Sequence, residues 1–132
     1  MDALADTGAD HLFAMIDGGR PGAIEACRRR GVAQIGNVLD WTARAPDVFV
    51  AAALADSGWG VREAAREFIA GSLPLGGRRT IGLEDPAVVS LVLGPRADPS
   101  LAEILSAWRM RILDRTLEVA TEYDGPEFAA PA

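Results

Sequence analysis

The run from Asp98 to Tyr123 constrains the fold more than any other stretch of the chain. Asp98 suits a helix N-cap, because its carboxylate accepts amide hydrogens of the first turn, and Pro99 suits the first helical position, where no donor is needed. Leu101, Ile104, Leu105, Trp108, Ile112, Val119 and Tyr123 then recur at spacings of three, four or seven. Glu103, Arg111, Asp114, Arg115, Glu118 and Glu122 take the other side, as in an amphipathic helix. Asp124-Gly125-Pro126 ends the pattern. At about 1.5 Å per residue such a helix is roughly 39 Å long, against a radius of gyration of about 14 Å for a domain of this size. It would be either the spine of a bundle or a surface element whose stripe another chain completes. Trp108 would anchor its core face, and truncation to Ala would cost about 3–5 kcal/mol.

The remaining segments read as shorter helices around it. Ala9 to Ile16 is apolar and stops at Asp17-Gly18-Gly19-Arg20-Pro21-Gly22; Ala23 to Arg30 ends in three arginines, which a helix C-terminus favours. Val32 to Arg44 resumes after Gly31, and Pro46 marks a boundary. Val48 to Asp56 is rich in Ala and β-branched residues, Val61 to Ala70 is amphipathic, and Ala87 to Leu93 is apolar at nearly every position. The expected fold is therefore all-α, a compact bundle of six or seven helices organised around the long C-terminal one. It would occupy residues 9–124 as a single domain, between a flexible N-terminus at 1–8 and a flexible tail at 125–132.

Composition excludes more than it assigns. All thirteen positive residues are Arg, so Schiff-base chemistry and a P-loop lysine are ruled out. One His and one Cys cannot assemble an ordinary zinc site, so no metal and no cofactor is expected. The single Cys27 fits a reducing compartment, and with no run of eighteen apolar residues and an acidic start the chain reads as a cytoplasmic, bacterial protein without a membrane segment, its Arg usage reflecting a GC-rich genome. The net charge of −6 argues against nucleic acid. A helix-turn-helix over Gln34 to Trp41 is rejected because Asn37 falls where that motif buries an aliphatic residue and Asp40 lies on the recognition face. His11 has no nucleophile beside it in the sequence and reads as a surface residue.

Two stretches resemble known families. "NVLDWTARAPDVFVAAALADSG", from Asn37 to Gly58, and the helices expected over Asp85 to Tyr123 are similar to the ligand-binding and dimerisation half of TetR-type regulators. That resemblance implies an apolar effector pocket near Trp41, Phe49, Trp59 and Phe68, with a dimer interface on the 98–123 helix; the chain before Asn37 is too short for the family's DNA-binding helices. "ALADSGWGVREAAREFIAGS", from Ala53 to Ser72, resembles a single HEAT-repeat hairpin, and one repeat cannot form a solenoid.

Two functions follow as expectations. The first is a non-enzymatic interaction module, an adaptor, inhibitor or dimeric regulator, contacting another protein or a second copy through helix faces that include Met110 and Arg111. The second is a small apolar ligand-binding domain lined by Trp41, Phe49, Trp59, Phe68 and Trp108. Arg78, Arg79 and Thr80, in the Gly-rich segment 71–84, offer a weaker anion site. No nucleophile or metal motif is visible, so catalysis is not expected.

Overall fold

The computed structural model describes residues 1–120, 122 and 125. It is an α/β structure built on one four-stranded sheet in the order β1-β2-β3-β4, which overturns the all-α bundle. Helix α1 (Asp2–Asp6) precedes β1 (His11–Phe13); a short 3-10 turn at Asp17–Gly19 leads into α2 (Arg20–Arg30). Next come β2 (Ala33–Val38), α3 (Trp41–Arg44), β3 (Phe49–Ala55), α4 (Ser57–Ile69), β4 (Val89–Leu93) and α5 (Leu101–Leu113). β1, β2 and β3 run parallel, and β4 pairs antiparallel on β3, with Ala55 opposite Val89 and Ala51 opposite Leu93.

Each correction has a physical cause. The segments expected as helices at Ala9 to Ile16, Val32 to Arg44, Val48 to Asp56 and Ala87 to Leu93 contain β1, β2, β3 and β4. β3 and β4 are near-continuous apolar runs, and runs of that length do not separate strand from buried helix, while β1 has only three residues, too few to show a period. In β2 and β3 the deepest residues include Ala33, Ala51 and Ala52, and Ala carries the strongest helix propensity of all. The TetR-like stretch from Asn37 to Gly58 therefore spans the end of β2, the four-residue α3, all of β3 and the start of α4. The HEAT-like stretch holds one helix, not two.

The long C-terminal helix is also shorter than expected. α5 has thirteen residues, about 20 Å, and it buries none of them. Asp98 does not cap it; its carboxylate accepts the Ser100 amide at 2.9 Å, and Ser100 takes the N-cap position. The helix stops where Arg115 enters the left-handed region (φ 56°) and the Thr116 and Leu117 amides fold back onto the Arg111 carbonyl. Beyond Ile112 the helical stripe had rested on Val119, which lies in irregular chain, and on Tyr123, which lies outside the described residues. Of the tail expected at 125–132, all but Gly125 also lies outside them. No helix among the described residues is long and apolar enough to cross a membrane.

The core sits between α2, α3 and the parallel strands. Cys27, Val32, Ala45, Val48 and Phe49 form its centre, with Leu12, Ile24 and Trp41 packed against them. Gln34 is fully buried and donates its side-chain amide to the Cys27 Sγ at 3.0 Å. Phe49 has no exposed surface, whereas Trp108 is 46% exposed. Phe49→Ala is therefore expected to cost about 3–5 kcal/mol in urea denaturation, and Trp108→Ala only about 1 kcal/mol, the reverse of its expected role as core anchor.

Candidate functional site

Parallel pairing brings the C-terminal ends of β1, β2 and β3 to one edge of the sheet, and antiparallel β4 brings its N-terminal end there too. In open α/β sheets ligands bind beyond these carboxyl ends. The chain is unusual after β1 and at the end of β2. After β1 the chain passes through Asp17, whose φ is +25°, before Gly18 and Gly19 lead into α2. β2 ends on Val38 at φ +68°, a conformation a β-branched residue adopts only under strain.

Two aspartates follow the ends of β2 and β3. Asp40 caps α3: its Oδ1 accepts the Ala43 amide at 3.2 Å and the Thr42 hydroxyl at 2.6 Å. Asp56 caps α4: its Oδ1 accepts the Trp59 amide at 3.1 Å and its Oδ2 accepts from Arg62 at 2.5 Å. Val38, Leu39, Asp40, Asp56 and Ser57 line one side of a cavity of about 330 Å³, and the chain from Pro86 to Ser90 closes the other.

Arg20, at the start of α2, is 5% exposed. Its Nη2 donates to the Ala14 carbonyl at 3.2 Å and to the Asn37 Oδ1, which ties the end of β1 to the end of β2. Trp41 donates its indole N–H to the Asn37 carbonyl at 3.1 Å and lies 5.6 Å from the Phe49 ring. The strand ends, the α2 start and α3 thus form one connected polar layer above the core.

The aromatic residues expected to line a pocket do not converge. Phe49 is a core residue and Trp41 half-covers it. Trp59 shares a cleft of about 410 Å³ with Arg78 and Arg79, where Arg79 is taken up by Glu67 at 2.7 Å; Thr80 is exposed and does not line it. Phe68 points to solvent on α4. Trp108 lines an apolar groove between β4 and α5, with Arg111 stacked 4.7 Å from its ring and Met110 half-exposed. His11 is exposed beside Asp10, at 3.1 Å.

Sequence reasoning passed over Val38, Asp40 and Arg20. The available signal was positional: an apolar run, then Gly-Gly and Pro21 opening a helix, and an Asp immediately before each of α3 and α4. With those runs taken as helices, the caps had no strand ends to mark.

No protein-family model matches the sequence, and no curated protein matches it. Among solved structures the chain is similar to a transcriptional activator of the comK gene from Bacillus halodurans, with a TM-score of 0.74 and 19% identity over 88% of this chain. The likeness shows a shared α/β fold, including elements that the TetR comparison would have made helical. The match covers 41% of that protein, so this chain spans less than half its length.

The strand-end carboxylates also set an acid sensitivity. Hydrogen bonds from the Thr42 hydroxyl and from the Ala43 and Thr42 amides hold Asp40 below the usual carboxylate range, and Arg62 does the same for Asp56. A depressed folded pKa contributes stability above the ordinary value of about 3.9 that is lost as pH falls through the lower folded value. Thermal melts should therefore drop below about pH 4, and Asp56→Asn, which keeps a cap but loses the Arg62 pair, should flatten that acid limb.

Proposed function

We propose that this chain is the ligand-binding part of a regulator, and that the crevice beyond β2 and β3 takes a small polar molecule. The observation that carries this reading is the strained Val38, which ends β2 and lines the crevice beside Asp40. Strain of this kind costs of order 1–3 kcal/mol per residue and persists where a site requires it. The crevice offers mainly acceptors: Asp40 spends only Oδ1 on its cap, which leaves Oδ2 for a donor, and the Ser57 hydroxyl lies in the same lining. The fitting ligand class is therefore one rich in hydroxyl or amine donors, a polyol or an amino alcohol, in place of the apolar effector expected from the aromatic residues. The regulator part of the reading takes support from the structural likeness to the comK activator.

The test is a thermal-shift panel of polyols, amino alcohols and small amines. A true ligand at about 100 times its dissociation constant adds about 2.7 kcal/mol. Asp40→Asn, which keeps the cap, should abolish that gain, and a panel that moves nothing sinks the reading. Val38→Gly should stabilise the free protein by about 1 kcal/mol or leave it unchanged, instead of showing the usual cost of Gly in a strand, while weakening the ligand response.

A second reading, self-association through helix faces, is favoured by α4. Val61, Phe68 and Ile69 lie on one side of it and are 72%, 71% and 85% exposed, an apolar patch of the sort that marks contact surfaces. Native mass spectrometry should then show a dimer that Phe68→Glu dissociates; a monomer at all accessible concentrations removes this reading.

A further inference from the structure

A second cleft, of about 280 Å³, lies between α2 and α3 and shares no lining residue with the strand-end crevice. Its walls are Arg20, Ile24 and Arg28 from α2 and Trp41 and Arg44 from α3. Three guanidiniums in one cleft are unexpected in a chain of net charge −6.

Their partners differ sharply. Arg28 is neutralised by Asp47 and Glu25, and elsewhere Arg29, Arg30, Arg62, Arg66 and Arg79 each hold a carboxylate. Arg20 and Arg44 hold none among the described residues. Both instead stack on Trp41, at 4.6 and 5.4 Å from the ring centroid, and both line the same cleft. Arg20 is the decisive case. It is 5% exposed, both acceptors of its Nη2 are neutral, and its Nη1 is buried with no acceptor among the described residues. A buried cation without a counter-charge is strongly unfavourable, and a carbonyl, an amide oxygen and an aromatic face do not supply a full negative charge. An anion seated between Arg20 and Arg44 would supply it, with guanidinium forks suited to planar or tetrahedral oxyanions.

We infer that the α2–α3 cleft is a binding site for the carboxylate or phosphate group of a small molecule, held by Arg20 and Arg44 with Trp41 as its floor. This site stands apart from the strand-end crevice, and either can fail without the other.

Trp41 provides the readout. In a chain carrying Trp59→Phe and Trp108→Phe, Trp41 emission is titrated with sodium phosphate and, separately, with sodium acetate, ionic strength being held constant with sodium chloride. A saturable change is expected with at least one anion, and the stronger of the two names the oxyanion class. Arg44→Gln, at an exposed position, should raise the half-saturation concentration by about tenfold, and Arg66→Gln, an exposed arginine on α4 outside the cleft, should leave it unchanged. Arg20→Gln should abolish the response with the circular-dichroism spectrum intact; if that variant unfolds, Arg44→Gln decides. The inference is overturned if neither anion gives a saturating change, or if Arg44→Gln titrates like its parent.

Discussion

The close seating of α3 on the sheet is the constraint on which the rest of the structure depends. A Cβ at Gly36 would stand 2.8 Å from two Trp41 side-chain carbons, and one at Gly94 would stand 2.6 Å from the Phe49 carbonyl and 3.2 Å from Thr42. The first is closer than side chains tolerate, so glycine at 36 lets this short helix lie where it does, while Gly94 lets β4 end against the β3 backbone beside it. The need arises from chain length. Only residues 39–48 link parallel strands β2 and β3, fewer than the dozen or more such a crossover normally takes. With so little chain, α3 cannot stand off from the sheet. Trp41 is pressed over Gly36 and against Phe49, and the strand must turn sharply at Val38 to release the chain in that direction.

From that seating the polar layer follows. Trp41 lies under Arg20, Arg20 reaches the Ala14 carbonyl and Asn37, and Asn37 receives the Trp41 indole hydrogen on its own carbonyl. Four chain segments are thereby tied at one end of the sheet by a side chain whose charge is almost wholly withdrawn from water. The same end carries the strained Asp17 and Val38. Strain and desolvated charge concentrated at one edge, above a core of small apolar residues, are what a fold tolerates at a site and removes elsewhere.

What the sequence disclosed depended on how each element meets its surroundings. α2 was readable over Ala23 to Arg30 because its end is signalled by three arginines and Gly31, which indeed adopts the left-handed conformation (φ 68°). α4 was readable from its amphipathic pattern, although its apolar side faces solvent instead of the core. The strands were not readable. In β3 the sequence Phe-Val-Ala-Ala-Ala-Leu-Ala satisfies helix propensity at almost every position, and strand pairing with β2 and β4 overrides that preference. Pairing is a long-range property, and a single chain read locally holds no record of it. The site was lost by the same step: a carboxylate after a helix is a loop residue, whereas a carboxylate after a parallel strand stands at the place where α/β sheets meet their ligands.

The charge arrangement supports a division of labour among the arginines. Arg28, Arg29 and Arg30, which read together as a run favoured by a helix C-terminus, each reach a separate acid, and two of these, Asp2 and Asp6, belong to α1. That run therefore fastens α1 and the start of β3 to α2, and its exposed ion pairs contribute modestly. Arg20 occupies the opposite end of the same helix, where the dipole disfavours a cation. Burial, helix position and the lack of a carboxylate among the described residues all act against its charge, and the contacts there with Ala14, Asn37 and Trp41 oppose them. A buried Met or Leu would fill similar volume without those penalties, so a guanidinium there is better accounted for by what it can bind than by what it stabilises.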